Sequence, residues 1–160
     1  MYARRKGFTL IELLVVIIII SILAGGMLLS QWRSEATAQA TVVVSDLRLM
    51  KSAAYAFFFD SNDMTPVAGV NYAELLGKYM DHGRIINDPV RYAFYVVGDL
   101  WWVGVKVQGT ANVNSILEGK AGSTVTAPLY GSNNIESPPA APDAAHLYKH
   151  TNIAVWMRAR

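Results

Sequence analysis

Hydrophobic and polar positions follow three successive patterns along this chain. From Phe8 to Leu29 the sequence FTLIELLVVIIIISILAGGMLL is apolar almost throughout, with Thr9, Glu12 and Ser21 as its polar members. As a helix rising 1.5 Å per residue it extends about 33 Å, enough for a hydrocarbon core of about 30 Å. Residues 31 to 59, QWRSEATAQATVVVSDLRLMKSAAYAFFF, keep helical character but become amphipathic. Leu47, Met50, Ala54, Phe57 and Phe58 recur at spacings of three and four, and Arg33, Glu35, Asp46, Arg48 and Lys51 occupy other faces. The cluster Tyr55, Phe57, Phe58 and Phe59 reads as the anchor of this helix on a sheet, in preference to a conducting stack of rings. DSNDMTP after Phe59 is turn chemistry and ends the helix.

The third pattern is that of a small mixed body. NYAELLGKYM at 71–80 predicts a short helix capped by Asn71 and closed by DHGR. RYAFYVV and LWWVGVKV predict a β-hairpin, with Gly98-Asp99 at two-residue turn length. The alternation within these strands is imperfect, which predicts partial burial of both faces. On a regular strand one of Trp101 and Trp102 faces outward, where it could form a subunit contact. NVNSILEG predicts a helical turn ending at Gly119, residues 131–145 a loop, and NIAVWMR a closing strand. The fold class expected is α+β: a long N-terminal helix, membrane-spanning in its first half and amphipathic in its second, packed on a small antiparallel β-sheet.

Charge changes the picture at one end only. The 14 Lys and Arg against 12 Asp and Glu include Arg4, Arg5 and Lys6, whose removal leaves 11 against 12. The body is therefore nearly neutral. It has no dense basic run of the kind that marks nucleic-acid binders, and Arg158 with Arg160 alone does not alter that reading. The basic run ahead of the apolar segment predicts a cytoplasmic N-terminus, with everything after residue 30 across the membrane. The chain has no cysteine, so packing alone must hold the fold, without disulfide or thiolate chemistry.

Glu12 is the residue that the apolar segment does not explain. A carboxylate in lipid is costly, and it marks a functional position whose partner must be named. An ordinary secretory signal, with Ala24-Gly25-Gly26 as a small-residue cleavage region, gains nothing from an acid at the head of its apolar core. A plain signal anchor does not need one either. A subunit held first in the bilayer, then packed into a bundle of like helices, does account for it.

KGFTLIELLVV resembles the class III leader and first helix of the type IV pilins and of the pseudopilins of type II secretion. The close match covers residues 4 to about 24, with a looser amphipathic continuation to about residue 59. The resemblance implies cleavage by a prepilin peptidase after Gly7, N-methylation of the new terminus at Phe8, and subunit–subunit assembly through Glu12. It also divides the chain into a leader at 1–7, a transmembrane and filament-core helix at 8–30, an amphipathic helix at 31–59 and a globular α/β head at 60–160. The α-amine freed at Phe8 is positively charged at neutral pH, and methylation keeps that charge. Glu12 of one subunit could neutralise the amine of its neighbour, a pairing that favours one register. This segment lacks the proline often present in the family's apolar helix. It has Gly25-Gly26 instead, compatible with close helix packing, a weak spot at the membrane exit or a segment that melts on assembly.

Other candidate chemistry is thin. His146 and His150 are four apart, but no HExxH pattern joins them, and Pro138, Pro139 and Pro142 upstream argue for a loop. His82 reads as a turn residue. The run from Asp60, with Asn62 and Asp63, fails the EF-hand pattern because Thr65 and Asn71 stand where Gly and Glu are required. Asn133, Glu136 and Asp143 suit calcium by composition alone and are not assigned. No GxSxG, phosphate loop or Cys nucleophile is present, so neither enzyme activity, a metal nor a cofactor is expected.

The reading that unites these features is a structural subunit of a type IV pilus. Its expected partners are copies of itself and other pilin-like subunits, the prepilin peptidase and the inner-membrane assembly platform. It would be a single-pass protein of the bacterial inner membrane before assembly, and part of a pilus or periplasmic filament afterwards. The alternatives are a type II secretion pseudopilin and, in another class, a secreted or anchored binding domain carrying an export signal.

Overall fold

The computed structural model describes residues 7–60, 69–80, 88, 90–123 and 127–160, with Leu29 and Ser30 described as backbone only. The chain divides into two compact units, residues 1–35 and 36–160. Helix α1 runs from Leu10 to Asp60 as 51 continuous residues. Its first part is long and apolar enough to cross a membrane by length and composition. Every described side chain from Gly7 to Leu28 is exposed.

The second unit is an α+β head. Its part of α1 buries Ala36, Ala40, Val43, Val44, Leu47, Met50, Ala53, Ala54 and Phe57, a stripe at helical period. The stripe packs on a four-stranded antiparallel sheet in the order β1-β2-β4-β3, with β1 Tyr92–Val97, β2 Leu100–Lys106, β3 Leu129–Ser132 and β4 Ala154–Arg158. Residues of one strand parity, among them Tyr92, Phe94, Trp101, Val103, Val105, Val155 and Met157, join the helix stripe in the main core. Those of the other parity, Ala93, Tyr95, Trp102, Tyr130, Ala154 and Trp156, form a second apolar cluster on the far face. Ile135 and Leu147 cover that second face, and Tyr130 Oη donates to Pro142 O at 3.4 Å.

Double coverage explains the imperfect alternation, since strands buried on both faces read as nearly continuous apolar runs. It also corrects the expected outward tryptophan. Trp101 and Trp102 point to opposite faces, yet both are buried. The aromatic anchor is narrower than expected too. Phe57 is buried and meets Phe94 and Trp101 with ring centroids 6.3 and 6.4 Å apart, whereas Tyr55, Phe58 and Phe59 are 42%, 37% and 78% exposed. One helical face holds positions 47, 50, 54 and 57, and residues 55, 58 and 59 rotate away from it.

The hairpin forms at the expected residues, with Gly98 at φ +58° supplying the positive φ that a two-residue turn of type II′ requires at its first position. The 71–80 segment is shorter as a helix than expected: α2 spans Ala73–Leu76 and a 3-10 turn follows at Gly77–Tyr79. Asn71 does more than cap it. Its Oδ1 accepts from Ala73 N at 3.0 Å and Phe94 N at 3.0 Å, while Nδ2 donates to Tyr92 O at 3.3 Å. With Tyr72 N donating to Phe94 O at 2.9 Å, it covers the first half of the free edge of β1. Helix α3, Ala111–Ala121, is a full helix that passes through Gly119, held by buried Val113, Leu117 and Ala121. Strand β3 takes Gly131 and Ser132 from the expected loop, because both pair in register with β4. The closing strand lies within the predicted NIAVWMR segment.

Candidate assembly site

The first turn of α1 is built by a reciprocal cap. Thr9 N donates to Glu12 Oε2 at 3.0 Å, Thr9 Oγ1 donates to the same oxygen at 2.8 Å, and Glu12 N donates back to Thr9 Oγ1 at 3.3 Å. This is the capping box, in which residues three apart satisfy each other's orphan donors. Its sequence signal, Thr at 9 followed by Glu at 12, directly precedes an apolar run and was legible. Thr9 is therefore a site residue that reasoning from the membrane span alone misses.

The cap changes what Glu12 means in an apolar helix. Its charge sits in the first turn, where the helix dipole favours an anion, and local donors already hold Oε2. All its hydrogen bonds as an acceptor use Oε2; among the described residues Oε1 has none. Ser21, the other polar residue of the span, is satisfied within its own helix by donating from Oγ to Ile17 O at 2.7 Å. The apolar segment thus carries no orphaned hydroxyl into lipid, and one carboxylate oxygen remains open.

Gly7 and Phe8 precede the helix outside any regular element, both exposed, with Phe8 81% accessible. Arg4, Arg5 and Lys6 lie outside the described residues. Gly25 and Gly26 are helical, and a Cβ on either would meet nothing within 4 Å, so the glycines are not required by contacts within this chain.

Residues 2–28 match the prokaryotic N-terminal methylation motif. The chain carries the class III leader of type IV pilins and pseudopilins. No curated protein and no solved structure matches it. The motif implies processing by prepilin peptidase and assembly into filaments with other pilin-like subunits, and with the apolar helix it supports membrane anchoring before assembly. Its family is structural rather than catalytic.

The remaining candidates do not converge. His146 Nδ1 lies 2.6 Å from Asp143 Oδ1, and His150 Nδ1 lies 2.8 Å from Glu118 Oε2, so each histidine is engaged by a different carboxylate. Asp143 also accepts from Ala145 N and His146 N, capping a 3-10 turn at Ala144–His146. The hydrogen bond from the His146 ring, assisted by those backbone donors, holds the Asp143 carboxyl below its ordinary pKa. Asn133 Oδ1 accepts from Asn152 Nδ2. No three His, Asp or Glu residues group for a metal among the described residues. His82 and residues 61–68 of the failed calcium loop lie outside them.

Proposed function

We propose that this chain is a structural subunit of a type IV pilus. A prepilin peptidase cuts it between Gly7 and Phe8, the amine of Phe8 is N-methylated, and the mature subunit polymerises through its apolar helix. Residues 1–7 are the disposable leader, 8–30 the membrane and filament-core segment, 31–59 the amphipathic helix and 60–160 the rest of the head. The subunit waits in the inner membrane with its N-terminus cytoplasmic and leaves it for the filament. Its partners are copies of itself, other pilin-like subunits, the peptidase and the inner-membrane assembly platform.

One observation carries this reading: a fully exposed apolar helix is headed by a carboxylate with one oxygen held and the other open. Lipid can cover the apolar side chains. It offers nothing to Glu12 Oε1, whereas the charged amine of a neighbouring subunit does. The paired charges are compensated only in correct register, so the pair selects an arrangement more than it adds adhesion.

Mass spectrometry of the mature protein is expected to find a methylated Phe8 at the N-terminus, and a terminus near Met27 would overturn the reading in favour of ordinary secretion. Glu12→Gln is expected to insert and be cleaved as usual but to give few or no filaments. Wild-type filament yield from that variant would refute the role of Glu12. A type II secretion pseudopilin would share leader and helix, and electron micrographs of surface filaments separate the two.

A further inference from the structure

The near-neutral head conceals a local concentration of positive charge. Lys51 on α1 and Arg158 and Arg160 at the end of β4 line one groove of about 500 Å³, together with Tyr55, Pro128 and Tyr130. Among the described residues no Asp or Glu lines it. Among the described residues none of the three cations is ion-paired. The Arg160 guanidinium lies 4.3 Å from the Phe58 ring centroid and 6.0 Å from that of Trp101, and Lys51 Nζ lies 6.0 Å from that of Tyr55. The aromatic faces hold two of the cations without neutralising them.

Three like charges drawn together in a concavity repel one another, and a walled groove focuses their field outward. A ligand bringing several negative oxygens relieves that repulsion. Guanidinium groups present forked donors that match phosphate or carboxylate oxygens, and an ammonium adds a point charge. The volume exceeds what a single ion fills and lies in the range of small-ligand sites. Exposed Tyr55 and Phe58 beside the cations give the rim flat apolar faces, which a ligand with rings can use and a bare dicarboxylate cannot.

We propose that the groove of Lys51, Arg158 and Arg160 binds phosphate oxyanions. The groove lies wholly within residues 36–160, so the proposal is independent of the assembly role of Glu12, and either can fail alone. The phosphate can come from a small free phosphate or from a phosphodiester strand, and two probes distinguish these sources.

The test is calorimetric titration of the full chain in dodecyl maltoside micelles with sodium pyrophosphate, with a single-stranded oligothymidylate about 12 nucleotides long, and with citrate. Saturable binding of either phosphate probe is expected, weakened about tenfold or more in Lys51→Ala/Arg158→Ala and about threefold in Arg158→Gln, a milder change at an exposed position. Lys149→Ala, which removes a charge elsewhere on the head, is expected to bind as the wild type does. Tighter binding of pyrophosphate would assign a free phosphate ligand. Tighter binding of the oligomer, with a log–log salt slope of about −2 for three contacts, would assign a strand. Citrate binding as tight as either phosphate probe overturns the proposal. So does a lack of saturable phosphate binding, or equal phosphate affinity in the double variant and the wild type.

Discussion

Removing the Tyr92 hydroxyl tests the join between α1 and the sheet. Asp46 is the one buried charged residue among those described, 5% exposed on the sheet-facing side of α1. Tyr92, 1% exposed at the start of β1, donates from Oη to Asp46 Oδ2 at 2.8 Å. Tyr92→Phe leaves the packing of the ring intact and takes away one donor from a carboxylate that water cannot readily reach. A hydrogen bond to a charged group contributes about 1.5–3 kcal/mol, and leaving its acceptor short of a partner forfeits about that much. For a unit the size of this head, a loss near 2 kcal/mol lowers the melting midpoint by about 6–8 °C. Near-ultraviolet circular dichroism of the full chain in micelles reads the head directly, because Trp101, Trp102 and Trp156 are buried there. Replacing Asp46 as well should cost less than the two single losses together, since both partners then go. A Tyr92→Phe melt within about 1 °C of wild type would refute the reasoning and mean that the hydroxyl contributes nothing at the join.

Two further outcomes follow from the head's interior. Gly104 on β2 stands opposite Trp156 on β4, and a methyl there would overlap the Trp156 ring, whose Nε1 is fixed to Ser132 Oγ at 2.8 Å; Gly104→Ala is expected to destabilise the head by about 1–3 kcal/mol in urea titration, and a neutral result would mean the second face is loosely packed. Tyr148 is buried with Glu118 nearby, and burial first and that carboxylate second push its hydroxyl up to about 12. Its folded value lies above the unfolded one near 10, so its contribution is whole below pH 10 and is lost as pH rises towards 12. The melting midpoint should fall across that window, and fall less steeply in Tyr148→Phe.

Much of the head was legible because local chemistry fixes local structure. Gly98 at the hairpin turn, the strands around it and the closing strand all announced themselves by composition. Strand β3 did not, since Leu129–Ser132 becomes a strand only by pairing with β4. Residues 55, 58 and 59 looked like core because aromatic composition does not specify which helical face a sheet will cover. The indole nitrogen of Trp102, which has no hydrogen-bond partner among the described residues, follows from the same coverage: the side chains packed over the second face, Ile135 and Leu147 among them, are apolar and bring it no acceptor.

By itself the sequence determined the membrane-length helix, the leader and the acid at its head, since each depends on residues within a few positions of one another. A capping box closes over three residues, and the span of a bilayer is counted along a single helix. Only the tertiary structure decided that both faces of the sheet are buried and that Lys51 meets Arg158 and Arg160 in one groove. Those residues are far apart in sequence, and net charge sums over the whole chain while an electrostatic site depends on distance. The head as a whole is nearly neutral, and one part of it is not.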